Sequence, residues 1–393
     1  MSGEDFGLFA YLFALVSLIS FFSKFGLPAM VISKMSPMIK NNQYEIASSL
    51  FYKNILLLLK VAPIVVLVLG IASFFDLIRI DSLFLMVILY FSAFLMGLQE
   101  LMISIFRAMG HPLSSLAIEG IFRQSIFIIL VLFNWKFFRF DLLILFNILM
   151  GSFLIVVAIS FLYVFFKFRL RPSLDHLKNR LPFKSLLNSF SGFQICQLVL
   201  ANYIFILYPY VGDFYNTGIT RLAFGFFSII TFAPIALISV HQRDFANLFF
   251  ENKTTELIQI SILLSRRILY ITILTIIVSF CLLVFYIWLT AFESSNNLVS
   301  IFLSLAIIQL INSAFMLPTS ILQMIGMEHI NFRNLSISLL LSIAIFYPAV
   351  KLFSFYGVAV SYGTCILIFS TMGQLAIKEV IGKFILPFSH NKK

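Results

Sequence analysis

Charge is scarce in this sequence. Only 11% of its 393 residues are Asp, Glu, Lys or Arg, while 61% are hydrophobic and the mean hydropathy is +1.05. A soluble domain carries about 25% charged residues. No aqueous fold hides this much apolar surface, because part of any globule faces water. Lipid is the solvent that suits it. Cysteine is scarce too: Cys196, Cys281 and Cys365 all lie inside apolar runs. Three such thiols supply neither a disulfide framework nor a metal-ligand spacing, so they read as small core residues.

Chemistry-bearing motifs are also missing. There is no Gly-x-x-x-x-Gly-Lys-Ser/Thr loop, which excludes ATP hydrolysis by that route. No Ser/His/Asp arrangement is visible. All five histidines (His111, His176, His241, His329 and His390) fall between apolar runs or in the tail, which argues against a histidine relay inside the membrane. No catalytic residue, cofactor or metal is expected, and the chain does not read as an enzyme. Glu4 and Asp5 stand where a secretory leader needs a basic start. The net charge of +11 does not indicate nucleic acid, since no basic patch carries interleaved aromatics.

Long apolar runs are what the chain has. A spanning helix needs about 20 mostly apolar residues, and such runs occur at 6–32, 52–73, 82–105, 115–134, 142–166, 188–211, 214–240, 268–291, 299–322, 335–354 and 357–379. The spacing predicts an all-α polytopic membrane protein with about 11 transmembrane helices. β-barrel strands would be shorter and would alternate polar with apolar. The gaps divide by charge. Nineteen Lys and Arg fall in one alternate set, including Lys34, Lys40, Arg107, Lys178, Arg243, Lys253, Arg266, Arg267, Arg333 and Lys378. Only Arg79, Lys136, Arg139 and Lys351 fall in the other. The positive-inside rule makes the first set cytoplasmic, with the C-terminus inside and the N-terminus outside.

The two halves echo each other. Glu4-Asp5-Phe6 opens the first run and Gly212-Asp213-Phe214 the seventh. Phe106-Arg107-Ala108-Met109-Gly110 is answered by Leu322-Gln323-Met324-Ile325-Gly326 at a nearly equal offset. Transporters are commonly built from such repeats, with the substrate site at the repeat interface. The expected organisation is two pseudo-symmetric bundles, 1–166 and 188–393, joined by a cytoplasmic linker at 167–187. The second half has a full helix before Asp213-Phe214 and the first has none before Asp5-Phe6. The first bundle therefore reads as five of six helices, from a 12-helix parent architecture lacking its first helix.

These residues resemble the polysaccharide (O-antigen, Wzx-type) flippases of the multidrug/oligosaccharidyl-lipid/polysaccharide (MOP) exporter superfamily. The stretch from Glu4 to Tyr11 is similar to that family's loop between helices one and two, and Lys24-Phe25-Gly26-Leu27 to the lower end of helix two. Phe106 to Gly110, with Glu119 and Arg123, resembles the region around helix five. Val211 to Asn216 followed by Arg221-Leu222-Ala223 resembles the start of helix eight, and Tyr356 to Val360 the start of the last helix. The resemblance implies translocation of a polyprenyl-diphosphate-linked oligosaccharide across the bacterial inner (plasma) membrane. It implies membrane lipid, a polysaccharide polymerase and chain-length proteins as partners.

Within the runs, the candidate substrate-binding residues are Arg221, Arg123, Lys24 and Lys60, each about 10–13 Å inside at about 1.5 Å per residue. A buried cation costs about 2.5–3.5 kcal/mol on insertion scales, so it faces a cavity or a partner. Arg in an aqueous path can meet a diphosphate bidentately. Each has a structural reading beside it. Lys24 and Lys60 are long enough to snorkel. Glu119 lies one turn before Arg123, the spacing of a helical ion pair, and is also the candidate ion-coupling acid. The main alternatives are a drug/cation antiporter of the same superfamily, which calls for an acidic, aromatic-lined cavity, and a membrane-bound glycosyl or acyl transferase, which calls for acids or a histidine at the membrane face.

Orientation is tested by single cysteines at Ser173 and Ser294. An impermeant thiol reagent applied to intact cells is expected to label position 294 alone, and labelling at 173 would reverse the topology.

Overall fold

The computed structural model describes residues 3–24, 45–56, 83–109, 122–135, 142–168, 189–290 and 294–388, with isolated positions between them. All regular structure among these is helical. In hydrocarbon no water is present to satisfy backbone N–H and C=O groups, and a helix satisfies them within its own segment. The helices are α1 (Gly3–Lys24), α2 (Leu83–Ala108), α3 (Arg123–Trp135), α4 (Leu142–Phe168), α5 (Ser189–Val211), α6 (Phe214–Phe250), α7 (Thr254–Thr290), α8 (Ser295–Ser313), α9 (Leu317–Met324), α10 (Glu328–Phe353) and α11 (Phe355–Ile381). Among the described residues, eight are long and apolar enough to cross a membrane: α2, α4, α5, α6, α7, α8, α10 and α11. The protein is a multi-pass, all-α membrane protein. The run at 52–73 lies outside the described residues beyond a helical stretch at 45–56.

The chain forms two compact units. One comprises Met1–Asp5 and Tyr11–Ser191, the other Phe6–Ala10 and Gly192–Lys393. In the first, α4 packs along both α2 and α3. Its core joins Leu50 and Phe51 to Leu101, Ile105 and Phe106 of α2 and to Val156 and Val164 of α4. Leu101 and Ile105 lie four residues apart, which puts them on one helical stripe. Aromatic pairs tie the same elements, Phe51 with Phe161 at 6.2 Å and Phe106 with Tyr163 at 5.3 Å.

In the second unit, close approach depends on small residues, as expected where lipid gives no hydrophobic drive between helices. A side chain at Gly363 would collide with Ile308 of α8, and one at Gly373 with Thr319 of α9. Polar pairs then fasten the helices. The Tyr203 hydroxyl of α5 lies 2.6 Å from Ser342 Oγ of α10 and 2.8 Å from Ser361 Oγ of α11. Ser342 and Ser361 each donate to the other's backbone carbonyl, at 2.7 and 2.9 Å. All three residues are buried. Pro234, inside α6, has no N–H for the Ile230 carbonyl, and Thr275 Oγ1 of α7 lies 3.4 Å from that oxygen. One turn earlier, Ser279 donates to the Phe226 carbonyl at 2.7 Å.

The helices differ from the apolar runs in two places. Helices α6 and α7 have 37 residues each, about 55 Å at 1.5 Å per residue, whereas a bilayer core is about 30 Å thick. Both outlast their runs, which end at 240 and begin at 268, because a second core continues past the lipid. Phe245, Leu257, Leu264, Ile268, Ile321, Leu322, Ile377 and Ile385 are all buried together there. The Lys253 ammonium at the turn of this hairpin is 2.7 Å from Glu251, and that hydrogen bond pushes its pKa up. The tail is bound to the same core. After Gly382, in the left-handed region at φ +78°, the Gln374 side chain donates to the Ile385 carbonyl at 2.6 Å and accepts from its N–H at 3.1 Å. The second difference is a break. The run at 299–322 is two helices, α8 and α9, parted at Ala314–Met316, with Pro318 in the first turn of α9 where its missing N–H costs nothing.

Replacing Tyr203 with Phe removes one hydroxyl and leaves the two serines paired with each other's carbonyls. The expected loss of stability is about 0.6–1.7 kcal/mol, the range for hydrogen bonds between membrane helices, read from thermal unfolding in detergent. An unchanged transition would mean the hydroxyl contributes nothing to holding α5 against α10 and α11.

Candidate functional site

Arg221 lies two turns into α6, about 10 Å along its axis from Phe214. The helix start is fixed by Asp213, whose Oδ1 accepts from the Asn216 N–H at 2.7 Å and whose carbonyl accepts from the Thr217 hydroxyl at 2.8 Å. Those bonds match the usual N-cap role of aspartate. They occupy the acid nearest Arg221 in sequence on its own helix.

Arg221 is partly buried, with its guanidinium Cζ 4.8 Å from the centre of the Phe205 ring of α5. Phe205 is itself buried and meets Phe224 edge-on at 5.3 Å. Phe224 in turn meets Tyr362 of α11 at 5.1 Å, and Tyr362 meets Phe227 at 5.7 Å. The cation therefore stands on an aromatic platform anchored in three helices. An aromatic face attracts a cation through its quadrupole, and it adds no opposite charge.

Residues Phe214, Gly218, Arg221, Gly225, Ser228 and Phe232 follow one another along one stripe of α6, by the 3.6-residue period. The N-terminal end of the stripe is covered. Gly7, within the Phe6–Ala10 segment that belongs to this unit, packs so close that a side chain there would run into the Phe214 backbone carbonyl. Further along, Gly225, Ser228 and Phe232 are exposed.

The first unit holds its own cation in the same manner. Arg123, the first residue of α3, places Cζ 5.5 Å from the ring centre of Phe153, a buried residue of α4. Lys24 is the last residue of α1. Lys60 and Glu119 lie outside the described residues, and so does any ion pair between Glu119 and Arg123. Among the described residues, no group of His, Cys, Asp and Glu could hold a metal ion. The structure thus places Arg221 and Arg123 each on the aromatic face of a neighbouring helix in its own unit. Sequence reasoning found both cations and missed Phe205 and Phe153. With 49 phenylalanines in the chain, no single ring stands out before the helices are packed.

No protein-family model matches the chain, and no curated protein is similar to it. Solved structures do match. A multidrug resistance transporter of the MATE family of the MOP superfamily, in its inward-facing conformation, aligns with a TM-score of 0.73. That alignment covers 97% of this chain and 91% of the neighbour at 14% identity. The chain has the MATE-like fold. An outward-facing MATE-family transporter aligns at 0.60, over 97% of this chain and 87% of its own at 14% identity. A MOP-superfamily transporter from Pyrococcus furiosus aligns at 0.56, over 97% and 88% at 13% identity. It is described as having a binding pocket of reverse polarity that suggests a different function. At these identities the likeness establishes two helical bundles of MATE type, and the cargo has to be argued from the residues.

Proposed function

We propose that this protein is a flippase. It moves a polyprenyl-diphosphate-linked oligosaccharide from the cytoplasmic to the outer leaflet of a bacterial inner membrane by alternating access, breaking no bond in its cargo. The observation that carries the reading is Arg221, a cation kept within an apolar helix on a neutral aromatic platform. A charge at that depth is costly and marks a ligand or ion path more often than a structural need. An arginine fork matches a diphosphate in both charge and geometry.

Arg123 on Phe153 supplies a second such cation in the other unit, and Lys24 and Lys60 complete the proposed cationic set, with Glu119 as the ion-coupling acid. The reading takes 1–166 and 188–393, joined by the linker 167–187, as the two parts that alternate. In this reading the Lys/Arg-rich gaps and the C-terminus are cytoplasmic. Polysaccharide polymerase and chain-length proteins would act on the product.

A second reading, a drug/cation antiporter, is favoured by what the matching structures are: MATE multidrug resistance transporters. The Pyrococcus furiosus neighbour, with its reversed pocket polarity, supports the view that one fold accommodates pockets of different polarity. The cations within the runs here fit an anionic cargo.

Export of lipid-linked glycan tests the choice. Arg221→Ala is expected to cut it by about ten- to a hundredfold, the scale of losing one charged hydrogen-bonded contact, at unchanged protein level. Arg221→Lys should restore only part, because the planar fork is lost. Full export by Arg221→Ala, or efflux of a lipophilic cation that the alanine variant leaves intact, would contradict the flippase reading.

A further inference from the structure

The first unit has a groove between α3 and α4 that the transport cycle does not use. Its volume is about 600 Å³, and its lining includes Leu130 and Asn134 of α3 and Asn147, Ile148, Gly151 and Leu154 of α4. Clefts that hold small ligands run from about 300 to 1,000 Å³. Asn147, Gly151 and Leu154 follow at intervals of three to four residues, so they share one stripe of α4. Gly151 keeps the groove deep, since a Cβ there would stand 3.8 Å from Leu130 Cδ1 with nothing else within 4 Å. Ile129, Leu132 and Phe133 of α3 and Leu154 and Leu162 of α4 are exposed. The groove is therefore continuous with the apolar helix surface that meets lipid.

Asn147 stands out on that surface. It is exposed, lies about 8 Å into α4 from Leu142, and its amide enters no hydrogen bond among the described residues. An amide without a partner is costly in an apolar medium, and a polar residue within a span marks something that it binds. Asn134 lies at the same end of the groove, one residue before α3 ends at Trp135. Its amide donates to the Leu130 carbonyl at 2.8 Å, which leaves its side-chain oxygen as an acceptor. Beyond Asn147 the groove continues past Gly151 to Leu154, about 10 Å along α4.

The site is thus polar and neutral at one end and apolar along the rest, with no charged residue in its described lining. A phospholipid has the same order. Its ester carbonyls lie just inside the hydrocarbon boundary, and its acyl chains run inward from them. A polyprenyl diphosphate has no such carbonyls, and its charge calls for cations that this lining lacks. We propose that the α3–α4 groove holds one phospholipid of the surrounding leaflet, its acyl chain along Ile148, Gly151 and Leu154 and an ester carbonyl accepting from the Asn147 amide. This site is independent of the cargo, so it stands or falls apart from the flippase reading.

Native mass spectrometry of the full chain, exchanged into diester phosphatidylethanolamine or its diether analogue, tests the site, because the diether lacks the carbonyls. The original protein is expected to retain one diester lipid about three- to tenfold better than the diether, the scale of a single hydrogen bond. Asn147→Leu should abolish that preference without lowering the thermal transition, since it removes an unpaired amide from an apolar surface. Gly151→Leu, which fills the groove, should reduce retention of both lipids. Equal retention of the two lipids by the original protein would overturn the proposal, and so would an unchanged preference in Asn147→Leu. Two other occupants give results of their own, and either one also overturns it. Displacement of the phospholipid by a lower concentration of polyprenyl diphosphate would assign the groove to the cargo chain. A dimer that Asn147→Leu dissociates would assign it to a second copy of this protein.

Discussion

The hydrocarbon interior offers polar groups no water, and that constraint governs the rest of this structure. Each backbone group pairs within its helix, and where a helix cannot supply a partner, a neighbour does. Pro234 leaves the Ile230 carbonyl without its usual donor, and Thr275 of the next helix stands beside it. Tyr203, Ser342 and Ser361 satisfy one another across three helices. Gln374 gives both ends of its amide to one residue of the returning tail. In a chain with so little charge, such polar residues act as fasteners, because lipid alone gives no preference for one helix contact over another.

The same constraint gives Arg221 its meaning. A cation at that depth needs a partner, and the face of the Phe205 ring is one. The platform is fixed by Phe224, Phe227 and Tyr362, so the charge is placed by rigid helices. Arg123 over Phe153 repeats the device in the other unit.

The fold class and most of the span positions were legible in the sequence, because apolar length reports directly on membrane thickness. The run at 142–166 became α4, 188–211 became α5 and 357–379 became α11, each to within a few residues. Hydropathy measures lipid contact and not helix length, so it missed what lies beyond the lipid. The hairpin extension of α6 and α7 is held by a core that includes Phe245, Leu257 and Ile385, residues brought together only by packing. It also missed the break between α8 and α9, where the chain stays apolar while its hydrogen bonding changes. At the site, Arg221 and Arg123 stood out because charge is rare here. Their aromatic partners did not, because phenylalanine is common.

The central claim is that the cargo is an anion, and ligand charge tests it most directly. Purified protein in nanodiscs would be titrated with a polyprenyl diphosphate, with the corresponding uncharged polyprenol, and with a lipophilic cation, at low and high salt. The account predicts binding of the diphosphate in preference to both others, weakened by salt because charge contributes to it. Tight binding of the cation with no preference for the diphosphate over the polyprenol would contradict it.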